Sequence, residues 1–315
     1  MKKQLERFSL LATEPGEIPF SFTHMLASSL TYLGYAVGRE SVTGASAFGF
    51  RIWVDTKANC PSATSIFDFN LLKTGVELNG YDCTYISRLW HEEAQESERR
   101  EQAHRAIVDA IDQGIAPVVW DIGIPEWGVV TGYDDDAQAY DTLSIQNKRE
   151  TMPYAQLGKR EIPILSVTVP GNPSDATPAE LARRTIQAAV DHARGREWED
   201  RPNYENGLAA YPHWANLVRN VDQASFSSLY YIATYASLRR GAAIWLRGVA
   251  AGDATLTPAA AAYAQVAGEL RAALYLVRLN PAFPTPELLD ALHGNILRAY
   301  EAEQRGVELL EKWLK

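Results

Sequence analysis

The stretch "VPGNPSDATPAE", residues 169–180, constrains this 315-residue chain more than any other. Proline, glycine, asparagine and serine crowd it, which marks a boundary between domains. It closes with Thr177, Pro178 and Glu180 in the spacing of a capping box, with proline at the first helical position. Beyond it, apolar residues recur every three or four positions, predicting helices over 178–194, 207–220, 223–251, 258–279 and 286–314. The run "TPAAAAYAQVAGELRAALYLVRL" is a strong helix former whose small residues let helices approach closely.

Before the break the pattern is mixed. "SFTHMLASSLTYLGY" places Phe22, Met25, Leu26, Ser29 and Leu33 on one helical stripe that Gly34 ends. "AFGFRIWV" alternates Phe48, Phe50, Ile52 and Val54 with Gly49, Arg51 and Trp53, which predicts a half-buried strand. Helices are expected over 64–79 and 92–113, the second with Ala103, Ile107, Ala110 and Ile111 inward. Then "APVVWDIG", "WGVVTGY", "AQAYDTL" and "IPILSVTV" read as strands of an antiparallel meander. The expectation is an α+β domain over 1–170 and an all-α helical bundle over 171–315.

Charge narrows the partners. A net charge of −9 disfavours nucleic acid or an anionic membrane as a partner, and no uninterrupted apolar run reaches membrane-spanning length. Two cysteines, Cys60 and Cys83, do not make a disulfide scaffold. With no secretory signal pattern at the N-terminus, the expected setting is cytoplasmic. No metal-ligand spacing, phosphate loop or dinucleotide fingerprint is present, so neither a metal nor a cofactor is expected.

"IPEWGVVTGYDDD", residues 124–136, carries the most specific signal. An apolar run feeds Thr-Gly-Tyr, an acidic turn and a second short run through Asp141. With "TYLGY" at 31–35, this hairpin resembles papain-like cysteine peptidases of the bacteriocin-leader-processing type. Together with "GASAFGFRIW", "NCPS" and "GLAAYPHW", the chain looks closest to a bacterial group related to the N-terminal domain of the butirosin-biosynthesis acyltransferase.

The resemblance implies a papain-like domain with a nucleophile at a helix start, a base on a facing strand and an orienting group on the next. Counting along the motifs puts Ser21 at the thiol position, Glu126 at the histidine and Asp141 at the orienting aspartate. Two of those three positions have changed chemistry. Serine needs a base near its working pH, and an ordinary glutamate near pKa ~4 is a weak one. The leading expectation is therefore a catalytically degenerate protein that binds a small polar or peptide-like ligand in the former active-site cleft. An acyltransferase or amide hydrolase using Cys60 or Ser21 is the alternative, and an interaction module built on the helical half is a third.

Other residues have a functional and a plain reading side by side. Cys60, before Pro61 and Ser62, reads as a thiol with a depressed pKa at a helix start or as a packed small residue. Cys83 alternates with Tyr81 and Tyr85 and reads as core. His24, one turn beyond Ser21, is a relocated base or ligand contact, or a solvent-facing or capping residue. His91, His104 and His192 read as surface. Trp120, Asp121, Glu126 and Trp127 line a pocket for a cationic or hydroxyl-rich ligand, or are core and turn residues. Tyr211 closes over the first domain's cleft or anchors the domains. Tyr230, Tyr231 and Tyr235 read as exposed, hence an expected homo-oligomer through the helical half.

Overall fold

The computed structural model describes residues 1–14, 16–57, 60–197, 202–219, 226–280 and 283–315, with side chains left undescribed at 226–228. The predicted helix boundaries at 220 and 223–225 lie outside the described residues. The chain divides into two compact units. The first is Met1–Ala12, Ser21–Arg39 and Phe69–Ala176; the second is Thr13–Phe20, Glu40–Asp68 and Thr177–Lys315. The N-terminal half therefore carries an antiparallel sheet with helices, and the C-terminal part is helical. The second unit also takes in two segments from before residue 69, which the linear division at 170 leaves with the first. Among the described residues no helix is long and apolar enough to cross a membrane.

The first unit is built on a seven-stranded antiparallel sheet. Its path runs β3 (Tyr81–Arg88), β8 (Leu165–Pro173), β4 (Val118–Val119), β5 (Gly128–Asp134), β6 (Ala139–Leu143) and β7 (Arg149–Pro153), and β1 (Lys2–Gln4) pairs with β5. The sequence shows β5, β6 and β8 clearly. β4 shrinks to two residues, and the polar edge strands β1 and β7 lack an alternating apolar signal.

Helix α1 (Ser21–Tyr32) is buried from Ser21 through Leu30. It is a core helix with no solvent face along that stretch, so the single apolar stripe underestimates its burial. Helix α3 (Asn70–Leu78) forms the larger, C-terminal part of the predicted 64–79 helix, and Thr64 and Ser65 belong instead to the 3-10 turn Pro61–Ser65. Helix α4 (Glu96–Asp112) buries Ala103, Ile107, Ala110 and Ile111 as its spacing predicts, and Gly114 at φ +81° ends it.

Among the described residues the second unit contains α2 (Arg39–Ala45) from Glu40 onward, the strand pair β2 (Trp53–Asp55) and β9 (Tyr204–Asn206), and five longer helices. These are α5 (Pro178–Ala193), α6 (Gly207–Leu217), α7 (Phe226–Ala250), α8 (Thr257–Leu279) and α9 (Pro286–Leu314), close to the expected spans. The Thr177–Glu180 capping box forms with both reciprocal hydrogen bonds.

"AFGFRIWV" departs from the predicted strand. Phe48–Phe50 is a 3-10 turn, β2 begins only at Trp53, and every residue from Phe48 to Val54 is buried. The physical reason is that side chains of the helices satisfy this backbone. Arg239 Nη1 donates to the carbonyls of Gly49 (3.0 Å) and Arg51 (2.8 Å). The Ile52 N–H donates to His192 Nε2 (2.9 Å), and the Trp53 N–H to the Tyr235 hydroxyl (3.0 Å). Gly49 lets α7 approach closely, since a Cβ there would sit 3.0 Å from the Ala242 backbone nitrogen.

Arg239 itself is buried and ion-paired in a fork with Glu303 (2.7 and 2.8 Å), whose carboxylate also accepts from the Tyr211 hydroxyl. Nearby, Arg51 pairs with Glu197 through Nε (2.7 Å), and His192 Nδ1 lies 3.0 Å from the same carboxylate. Burial alone would raise the Glu197 carboxyl, but the Arg51 guanidinium and then His192 reverse this and hold it at about 2.

Candidate functional site

Ser21 is the first residue of α1, and its hydroxyl donates to the Glu126 carboxylate. The same oxygen accepts from the Trp127 backbone N–H at 3.3 Å. Ser21 is buried, whereas Glu126 is half-buried in the loop that leads into β5. The structure therefore joins two of the three positions expected from the sequence.

The loop geometry follows from local sequence. The Ile122 N–H donates to the Glu126 carbonyl (3.2 Å), and the Glu126 N–H to the Ile124 carbonyl (2.6 Å), folding 122–126 into a tight turn. Gly128 is obligatory, since a Cβ there would lie 2.6 Å from Ile122 and 2.7 Å from the Leu143 carbonyl. This close approach lets the hairpin bring Glu126 back over the start of α1.

Asp141 does not join the pair. β5 and β6 are registered Val129↔Leu143 and Gly132↔Asp141, with an irregularity between Val130 and Gly132. Asp141 thus sits across from Gly132, six residues beyond Glu126, on the order of 15–20 Å along the hairpin at ~3.3 Å per residue. Ser144, not an acid, lies near the loop: a Cβ on Gly123 would stand 2.8 Å from its Cβ. On this register Asp141 stands away from the Ser21–Glu126 pair.

Trp120 and Trp127 are core residues. Their ring centroids are 4.4 Å apart at 63°, and Phe69 lies 5.6 Å from Trp127 and 6.0 Å from Trp120. Phe22 adds an edge contact to Trp127 at 6.0 Å, which ties the helix start to the hairpin. The Trp120 indole nitrogen is buried without a hydrogen-bond partner among the described residues. Asp121 adopts φ +62°, is buried, and accepts from the Ile162 N–H at 3.1 Å. Burial raises its pKa, opposed mainly by that hydrogen bond. His24 is buried at 1% exposure, so it does not face solvent.

The remaining candidates fall elsewhere. Tyr211 is fully buried in the second unit on Glu303, so it serves that unit's core. Cys60, also in the second unit, precedes a five-residue 3-10 turn with its sulfur 2.9 Å from the Ser62 hydroxyl. Its carbonyl accepts from the Tyr231 hydroxyl at 2.7 Å. Burial pushes the Cys83 thiol up to about 12, which disfavours the thiolate.

Two readings of surface residues are overturned. His192 is fully buried, because its ring closes the backbone at Ile52. Tyr231 and Tyr235 are buried at 0% and 1%, their hydroxyls spent on segment 53–60, so they offer no surface for oligomerisation. Sequence periodicity misses this because a tyrosine or histidine that anchors backbone looks the same in sequence as an exposed one. No family model matches the chain, and no curated protein sequence matches it.

Proposed function

We propose that the first unit is a catalytically degenerate papain-like domain that binds a small polar or peptide-like ligand beside Ser21 and Glu126. The observation that carries this reading is the hydrogen bond from the Ser21 hydroxyl to Glu126 at the start of α1, where the resemblance puts thiol and imidazole. A hydroxyl replaces the thiol, a carboxylate replaces the imidazole, and Asp141 stands across from Gly132, further up the hairpin. Such a pair retains polarity and position while losing the nucleophile's main source of activation. The half-buried Glu126 supplies an anionic acceptor for ligand N–H or O–H groups. On this reading the buried Trp120 indole N–H, without a partner among the described residues, is a donor that a ligand carbonyl would reach only by displacing the packing around it.

The test is a thermal-shift screen of the whole chain against amines, polyols and short peptides. A hit should stabilise the wild type and lose that effect in Glu126→Gln, with Trp120→Phe weakening it. A shift unchanged in Glu126→Gln removes the reading.

A second reading, acyl transfer or amide hydrolysis through Ser21, is favoured by one feature: nucleophile and carboxylate stand within hydrogen-bonding reach. A fluorophosphonate probe separates the two. Covalent labelling that maps to Ser21 and vanishes in Ser21→Ala establishes the catalytic reading, and unlabelled protein supports the binding one.

A further inference from the structure

The second unit contains a cavity of about 500 Å³ that has no part in the site above. It lies along α7 and α8, with Glu14, Gly16 and Glu17 over one side. Its composition is ordered along the two helices. On α7, Ala236, Arg240, Ala243 and Arg247 recur at three- and four-residue spacing, and on α8 so do Ala264, Ala267, Arg271 and Arg278 or their immediate neighbours. Each helix therefore sets two arginines seven residues apart, on one face, beside small residues. Alanines in such a stripe usually let helices close together; here they border open volume.

The charges are not balanced internally. Arg240 pairs with Glu14 (2.6 Å) and Glu40 (3.5 Å), and Glu17 accepts from the Ser237 hydroxyl (2.9 Å). Gly16, at φ +76°, gives its Cβ position to the Arg278 guanidinium, which would stand 1.7 Å from any side chain there. Arg247 and Arg271 have neither an ion-pair nor a hydrogen-bond partner among the described residues, and both are exposed at the cavity. Exposed apolar side chains stand on the same helix as Arg271. Of the four large hydrophobic side chains exposed among the described residues, Tyr275 (50%) lines the cavity and Leu279 (72%) follows it on α8.

We propose that this cavity binds an amphipathic organic anion, an apolar chain ending in a carboxylate, with Arg247 and Arg271 on the head group and the alanine-lined wall on the chain. The volume falls within the range of small-molecule sites. Guanidinium matches carboxylate in geometry as well as charge. Two cations without a partner among the described residues, beside an apolar wall, complement such a ligand, whereas a neutral lipid leaves both arginines unanswered and a bare inorganic anion leaves the wall unused.

Calorimetric titration of the full chain with octanoate, octanol and acetate tests the assignment. Octanoate should bind at one saturable site, with octanol and acetate at least tenfold weaker. Arg247→Gln with Arg271→Gln should lower octanoate affinity at least tenfold, and Ala267→Trp, which fills the cavity and keeps both arginines, should abolish binding. Equal affinity for octanoate and octanol overturns the proposal. So does undiminished octanoate binding in either variant, or the absence of any octanoate binding. A dimer in light scattering that Ala267→Trp breaks gives the groove to a second copy of the chain and overturns it as well.

Discussion

Ser21 shows how much one hydroxyl holds. It donates to Glu126 and accepts from the Trp127 N–H, so it fixes the start of α1 to the entrance of β5. Ser21→Ala leaves a buried N–H and a half-buried carboxylate without that partner. The expected loss is about 1–3 kcal/mol in urea denaturation, and a loss below ~0.5 kcal/mol places no weight on the pair. Glu197 gives a pH-dependent counterpart. Its carboxyl is held at about 2 in the folded protein, against ~4.3 unfolded. The stabilisation is present above the unfolded value and is lost as pH falls from ~4.3 towards ~2, on the order of 3 kcal/mol in all. Denaturation curves from pH 6 to pH 2 should show wild type losing that increment and Glu197→Gln lacking it. At this scale the sequence shows Ser21 and Glu126 through their motif spacing. Asp141 misleads because an irregular register between Val130 and Gly132 is not written in the spacing of the apolar residues. His192 misleads because a charged helical context does not reveal which backbone the ring will meet.

Elements separate into those specified locally and those specified by their partners. Helices α5 to α9 follow from apolar periodicity and punctuation, and α5 also from its cap. Thr177→Ala removes the cap's acceptor for the Glu180 N–H (3.3 Å) and should cost about 1 kcal/mol in thermal or urea unfolding. Residues 48–54 are the opposite case. Their alternation resembles a strand, yet Arg239, His192 and Tyr235 take the backbone groups a sheet neighbour would take. Arg239 pays for this with a buried charge that Glu303 neutralises. Arg239→Met alone should therefore destabilise by about 3–5 kcal/mol, because Glu303 is left buried and uncompensated. Arg239→Met with Glu303→Leu should recover part of that loss. A double variant no more stable than the single one shows that the bonds to Gly49 and Arg51, rather than charge balance, dominate.

For the molecule as a whole, the break at 169–180 is legible as the end of the first unit, which closes at Ala176. What stays hidden is that the second unit borrows Thr13–Phe20 and Glu40–Asp68. Composition shifts report neighbours in sequence, whereas unit membership depends on contacts across more than a hundred residues. The borrowed segment is core to the helices. Phe50 packs on Tyr263 at 4.9 Å and Trp245 at 5.8 Å, Trp53 packs on His192 at 4.9 Å, and Arg51 neutralises Glu197. Burying each such aromatic side chain contributes about 1.5–3 kcal/mol, comparable in sum to the net stability of a typical domain. A fragment of residues 177–315 alone should therefore retain helical circular dichroism but lose cooperative melting and bind a hydrophobic dye. Joining residues 40–68 to its N-terminus through a flexible linker should restore a cooperative transition. If 177–315 melts as sharply and at the same temperature as the helices of the intact chain, the borrowed segment is dispensable and the linear division at the proline-rich break describes the folding units better.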